Sequence, residues 1–370
     1  MRSRMLSVLF LLALLRTGFA RQEPRPTPPP NSANCFISFT DFSRFERTES
    51  DAALVFISPV MAPTIDWNEL VISWNVASPT REMTLRVEAR ALSAARQTPF
   101  YNLGVWSPDE PTRHSVVGQK DAYGEVETDT LILKRPAQRV QVRVTVEGRS
   151  KGDVSPLKFL GLSLANTLSK AVALPPNRAA WGRVIPVPER SQVSYQGGSV
   201  WCSPTSVSMV LAHWAKTRNR PEWDVEVPEV ARGVHDRNWP GTGNWPFNTA
   251  FAGSLPGLRA YVTRFDDVSE LEDWIASGFP VVLSVSYPVL KGRIGNPGGG
   301  HLVVCVGFTE NGDVEVNDPW AVLTKGERVR KIFPRPNLVK AWRHSHNAVY
   351  LIYPQSAKIP VDRLGHWERY

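Results

Sequence analysis

The sequence predicts two folded units in series, an all-β domain of sandwich or jelly-roll type followed by a mixed α+β domain. Three observations predict this. Residues 36–168 alternate apolar and polar side chains in short runs with no helical period. A proline-bearing stretch without pattern falls at 173–189, and beyond it helix starts are interleaved with apolar strands. A length of 370 residues holds two domains of ordinary size, and 42% hydrophobic with 21% charged residues describes a chain that buries cores. Thirty-one prolines favour loop-rich β architecture.

The chain opens with Arg2 and Arg4, the apolar run Leu6–Leu15, and Gly18-Phe19-Ala20. A charged start, an apolar core near ten residues and a small-residue exit form an export signal over 1–20, so a secreted protein is expected, extracellular or periplasmic. The apolar run is short for a ~30 Å hydrocarbon layer, which argues against stable membrane insertion after cleavage. Loss of Arg2, Arg4 and Arg16 with the leader lowers the net charge from +8 to +5. Spread along the chain without a basic stripe, that charge gives no support for nucleic-acid binding. Residues 21–34 (RQEPRPTPPPNSAN) read as an extended linker.

The β unit is placed at 35–172. Thr84–Ala91 puts Leu85, Val87, Ala89 and Ala91 on one face, and Arg139–Glu147 does the same with Val140, Val142, Val144 and Val146. Leu70–Val76 and Thr130–Leu133 add two strands. The second unit is placed at 187–356, with 357–370 as a C-terminal tail. In it, Ser203–Trp214 reads as a helix with Pro204 in its first turn. Ser269 to Glu272 has capping-box spacing before a helix stopped by Gly278. Strands are expected at Val281–Ser286, His301–Phe308, Val314–Val316 and Ala348–Tyr353.

Cys202 stands at the start of a helix, where partial positive charge and unpaired N–H groups favour a thiolate. Those N–H groups, together with an amide donor such as Gln196, can hold a developing oxyanion. His301 begins an apolar strand, and a turn at Asn311-Gly312 returns the chain to Asp318. A hairpin there brings the imidazole beside a carboxylate that orients it. Asn317 is the nearest competitor for that role.

These residues carry a resemblance. Gln196, Trp201-Cys202-Ser203-Pro204-Thr205-Ser206, Met209, Gly300-His301-Leu302-Val303-Val304, Gly307-Phe308 and Val316-Asn317-Asp318-Pro319 resemble the C39-like cysteine peptidases of secreted bacterial type, over about Val187 to Tyr353. The resemblance implies a papain-like α+β fold, with Cys202 as nucleophile, His301 as base, Asp318 as its orienter and Gln196 in the oxyanion hole. Ser203 departs from the glycine of many relatives. No transporter segment follows, so the leader-cleaving transporter type is not expected.

The expected function is a secreted thiol hydrolase of peptide or isopeptide amides that needs no cofactor and acts on a peptide or protein substrate. Two rivals use the same residues differently. One is a transglutaminase-like acyltransferase; the other is a non-catalytic protein whose β domain holds cell wall or carbohydrate. Trp201, Trp245 and Asn317 are candidates for the substrate cleft, and Trp239 and Phe247 are cleft or core residues. His344 and His346 form an HxH pair that lacks further ligands at metal spacing. Gly292–Gly300 is a glycine-rich loop beside His301, a lid or a long hairpin. Cys305 reads as core, and a Cys35–Cys305 disulfide is conceivable in an exported chain although nothing places the two together.

Overall fold

The computed structural model describes residues 32–370 apart from residues 95, 150, 151, 153, 172 and 294–297. The expected leader and nearly all of the linker therefore lie outside the described residues, as does the centre of the glycine-rich loop. The N-terminal unit contains β1 (Asn34–Phe39), β2 (Glu46–Glu49), β3 (Ala53–Ile57), β4 (Trp67–Val76), β5 (Thr84–Leu92), β6 (Tyr101–Trp106), β7 (Gly124–Glu127), β8 (Thr130–Ala137), β9 (Arg139–Glu147) and β10 (Leu157–Ala165). After β11 (Arg183–Val184) follow α1 (Cys202–Arg218), α2 (Val227–Val234), α3 (Trp245–Ser254), β12 (Leu258–Arg264), α4 (Val268–Ala276), β13 (Val281–Ser286) and α5 (Tyr287–Leu290). The chain closes with β14 (Gly300–Phe308), β15 (Val314–Asn317), β16 (Arg330–Phe333), α6 (Arg335–Trp342), β17 (Ala348–Pro354) and β18 (Trp367–Arg369).

Two sheets make up the N-terminal unit, in the orders β18-β1-β10-β4-β8-β7 and β2-β3-β9-β5-β6. Their inward residues share one core. Val140, Val142, Val144 and Val146 of β9, all fully buried, join Leu70, Ile72 and Trp74 of β4 in it. In β9 the period-2 pattern thus does what alternation predicts, since the strand hides every second side chain. On β5 the polar face is also engaged, because Arg143 donates to both carboxylate oxygens of Glu88 at 2.6 and 2.7 Å.

Strand β4 is buried at all ten positions because both of its faces are covered. Leu70, Ile72 and Trp74 face the β core, while the other face meets the C-terminal unit. There Asn75 Nδ2 donates to Ala260 O at 2.7 Å, Asn75 Oδ1 accepts from Ala260 N at 3.2 Å, and Ser73 Oγ accepts from Val262 N at 2.8 Å. These bonds cover β12, the edge strand of the third sheet, whose free backbone groups would otherwise be a pairing hazard. Phe36 stacks on Tyr261 beside them, with centroids 4.6 Å apart.

That third sheet runs β12-β17-β13-β14-β15-β16, with β11 pairing on β14. Helix α1 packs on it, with thirteen of its seventeen residues buried. The stretch 173–189, without pattern in the sequence, holds a short strand: Arg183–Val184 pairs with Phe308 and Gly307. Two expectations are corrected here. The residues expected as a tail end in a strand, β18, that pairs in parallel with β1 and so returns the chain to the first unit. Helix α4 is capped by Asp267, which accepts from Ser269 N at 2.7 Å, two residues before the expected Ser269 cap. Asp267 and Glu270 have the same three-residue spacing two positions earlier, and Glu270 Oε2 accepts from Asp266 N at the helix start.

Candidate active site

Cys202 is the first residue of α1, so its sulfur sits where the helix leaves N–H groups unpaired. Helix and sheet are held in register by Ser206 Oγ, which donates to Leu302 O at 3.2 Å, one residue beyond His301. Ser203 Oγ meets Tyr350 Oη at 3.0 Å and ties the same helical turn to β17. Ser203, where the sequence departs from the resemblance, is thus fully buried and used as an anchor.

His301 enters β14 opposite Val285 of β13, and Asp318 follows the last residue of β15. His301 Nε2 and Asp318 Oδ1 are 2.8 Å apart, and both residues are buried. With Nε2 committed to the carboxylate, Nδ1 is the ring nitrogen left for the thiol, and sulfur and imidazole hydrogen bond to each other. Burial works against a thiolate at Cys202, but the hydrogen bond and charge of His301 and the N–H groups of Leu302 and Ser203 bring the thiol below its ordinary value. Burial likewise opposes the imidazolium, yet Asp318 and the sulfur push His301 up to about 9. Asp318 is held down at about 2 against its own burial, first by His301 and then by Lys331 and Tyr287. The three shifts share one direction: each favours a thiolate–imidazolium pair beside an ionised carboxylate over a neutral thiol and imidazole.

The carboxylate has further partners, which the sequence reading missed. Tyr287 Oη donates to Asp318 Oδ2 at 2.6 Å, Lys331 Nζ does so at 2.7 Å, and the Trp320 backbone N–H donates to Oδ1 at 2.9 Å. Tyr287 also lies against the His301 ring, with centroids 4.4 Å apart. Tyr287 follows β13 and Lys331 lies on β16, so only the sheet order brings them to Asp318. No local motif marks either one.

A cleft of about 830 Å³ opens over Cys202 and His301, and Trp239, Trp245 and Trp320 are among its lining residues. Of the expected cleft residues Trp245 lines it, whereas Trp201 and Asn317 do not. Trp201 lies beside Tyr195, centroids 6.5 Å apart. Asn317 is fully buried and donates to Val187 O at 3.2 Å, which is a structural task. Phe247 is a core residue against Trp74, as its complete burial requires.

Gln196 does not join the group. It is exposed in the turn before Gly197 and does not line the cleft. Gln192 does line it: this residue is buried, its Nε2 donates to Gly198 O at 2.8 Å, and its Oε1 has no partner among the described residues. Gln192 stands ten residues before Cys202 with the turn 195–200 between them, so the six-residue spacing leads to the exposed Gln196 and not to the glutamine that lines the cleft. Cys35 and Cys305 are free and buried, on β1 and β14, and the conceived disulfide is absent. His346 Nδ1 lies 3.1 Å from Glu69 Oε2 and His344 lines the cleft; no cluster suited to a metal occurs among the described residues.

Residues 184–350 match the model of the peptidase C39-like family, and residues 40–162 match that of the peptidase C39 N-terminal domain. Among solved structures, a protein from Bacillus anthracis described as a C39-like peptidase is 19% identical, with 48% of this chain and 99% of that one covered at a TM-score of 0.36. A carbohydrate-binding module from the β-sandwich superfamily is 8% identical, with 36% of this chain and 53% of that one covered at a TM-score of 0.18. No curated protein matches the chain. The family likeness therefore rests on the two models.

Proposed function

We propose, on the premise that residues 184–350 form a C39-like peptidase domain, that the protein is a cysteine hydrolase of peptide or isopeptide amides. The observation that carries this reading is the alignment of Cys202, His301 and Asp318, with the 2.8 Å bond between His301 Nε2 and Asp318 Oδ1 as its anchor. In the proposed reaction the Cys202 thiolate attacks the acyl carbon. The oxyanion is held by the Cys202 backbone N–H and by Gln192, which takes the place given to Gln196 on spacing alone. His301 then protonates the departing amine, leaving a thioester and a neutral imidazole. A water molecule, deprotonated by that imidazole, attacks the thioester, and the acid and the thiolate–imidazolium pair are regenerated.

The export pattern at residues 1–20 supports a site of action outside the cytoplasm. A peptide-library digestion comparing the intact protein with Cys202→Ala tests the nucleophile. Products made by the intact protein and missing with the variant support it; the same products from both would overturn it. Acyl transfer would use the same thioester, and mass analysis with and without an added amine separates it from hydrolysis. The non-catalytic reading predicts no products in either sample.

A further inference from the structure

A second chamber of about 330 Å³ adjoins the active-site cleft and shares Trp239, Gly243, Trp245, His344 and Ser345 with it. Its far wall comes from the other unit. Glu69 of β4 and residues 127–130 at the β7–β8 turn reach across to meet Arg264 and the start of α3. The turn is fixed in place, because Asp129 Oδ2 accepts from Trp245 N at 2.6 Å and Oδ1 accepts from Thr130 Oγ1 at 3.0 Å.

Building on the hydrolase reading, we propose that this chamber is a specificity subsite for a cationic side chain of the substrate, lysine or arginine, two or more residues from the bond attacked. Charge is the first argument. Glu69, Glu127 and Asp129 face one guanidinium, Arg264, which is already paired with Glu69 at 2.6 Å. His346 leans on the same Glu69 and His344 completes the wall. Burial raises Asp129 to about 6, so it is charged above neutral pH. Trp239, 45% exposed, and Trp245 add aromatic surface on which a cation gains further attraction.

The second argument is an independent one and points to a peptide. Arg264, 3% exposed in its side chain, lines the chamber with Nε and Nη1 lacking any partner among the described residues. Buried N–H groups of this kind are costly unless something accepts from them; both are closed off in the chamber as it stands, and a small turn of the Arg264 side chain would let a backbone carbonyl of a bound peptide supply that acceptor. A peptide lying along the cleft would then set its carbonyl toward Arg264 and its cationic side chain toward Glu127 and Asp129. The N-terminal unit, on this reading, is part of the substrate site.

Binding to full-length Cys202→Ala tests the subsite without requiring turnover. Blocked hexapeptides carrying lysine or its uncharged isostere norleucine at each position in turn are titrated by calorimetry at pH 8, well above the Asp129 value. We expect at least about tenfold tighter binding for lysine at one position. That preference falls severalfold when Glu127, an exposed rim residue, becomes Gln, and it reverses toward a glutamate peptide with Glu127→Lys. Equal affinity for lysine and norleucine at every position, or a preference unmoved by both Glu127 variants, overturns the proposal. Failure of the hydrolase reading shows separately, as absence of cleavage by the unsubstituted protein of peptides that its Cys202→Ala form binds.

Discussion

Lys331 Nζ lies 2.7 Å from Asp318 Oδ2, on the carboxylate oxygen that His301 does not use. The acid is therefore shared between an imidazole and an ammonium, with Tyr287 as a third donor. A carboxylate with both oxygens saturated cannot rotate, so the ring bonded to it is fixed in plane and tautomer. Lys331 is partly exposed, which makes it a positioning group at the edge of the site. Replacing Lys331 with Met is expected to raise Asp318 from about 2 toward the ordinary carboxylate value. The acid limb of the pH–kcat/KM profile then moves upward, while the rate at neutral pH falls modestly. An acid limb that stays in place in Lys331→Met would show that the lysine does not act on the carboxylate.

Asp318→Asn removes the charge that holds His301 up at about 9. The imidazole then falls toward its ordinary value near 6.5, and the alkaline limb of the profile moves down by a similar amount. Since the pair must be thiolate and imidazolium to react, kcat/KM at pH 8 is expected to drop by about 10²–10⁴-fold. Folding stability gives a second readout. The folded-state value of Asp318 lies below its unfolded one, so its contribution is full above about pH 4 and is lost as pH falls toward 2. The size is about 2 kcal/mol. Urea titrations of both forms at pH 6 and pH 2.5 measure it, with the gap between them expected to shrink at the lower pH.

Two glutamines separate what spacing suggests from what folding selects. Gln192→Ala is expected to lower kcat by about 10²–10³-fold, the usual effect of losing one oxyanion donor. Gln196→Ala should change it by less than about twofold. Steady-state kinetics on one peptide decide between them, and equal losses would mean that the amide of Gln192 does not face the reacting carbonyl.

Much of this arrangement is legible in the amino-acid sequence. The valine alternation of β9, the β13–β14 strands and the helix beginning near Cys202 follow from patterns with a local cause, and the hairpin argument brought His301 to Asp318. What escaped has long-range causes. Tyr287 and Lys331 reach Asp318 through strand order, which periodicity does not encode. Gln192 stands ten residues before Cys202, and a six-residue spacing does not point to it. Strand β4 reads as an ordinary apolar run, and its burial on two faces depends on a neighbouring unit that the sequence does not place. Asn317, beside Asp318 in sequence, reads as a cleft residue but turns inward to Val187 O, since adjacency does not fix which way a side chain turns.

Arg113 illustrates the cost of separating the units. Fully buried in the N-terminal unit, it donates to Ser107 O at 2.8 Å, His235 O at 2.9 Å and Arg232 O at 2.5 Å. The last two are carbonyls at the end of α2, which gains its C-terminal partner from the other unit. Arg113→Met leaves all three acceptors without this donor, and a loss of about 3–5 kcal/mol is expected. Chemical denaturation monitored by tryptophan fluorescence measures it. A transition midpoint equal to that of the unsubstituted protein would mean that the contact carries no net stability.

The C-terminal strand makes a prediction that thiol chemistry can read. In the intact chain Cys202 is half-buried with a lowered thiol value, whereas burial raises both Cys35 and Cys305. Iodoacetamide at pH 6 is therefore expected to label one cysteine. Residues 357–370 provide cover for another: β18 pairs with β1, Phe36 N donates to His366 O at 2.9 Å, and Cys35 Sγ lies 3.2 Å from Glu368 Oε1. Trp367 also packs on Trp274 at 5.6 Å, so the strand is pinned to both units. A chain ending at residue 356 loses a parallel strand pair and this packing, and its melting temperature should drop by several degrees. Removing Glu368 takes away a carboxylate that discourages ionisation of Cys35, and removing β18 opens the edge beside it. Labelling at pH 8 followed by peptide mapping should then find Cys35 modified along with Cys202, and Cys305 protected on its central strand. If Cys35 stays unlabelled in the shortened protein, β18 is not what shields the first strand.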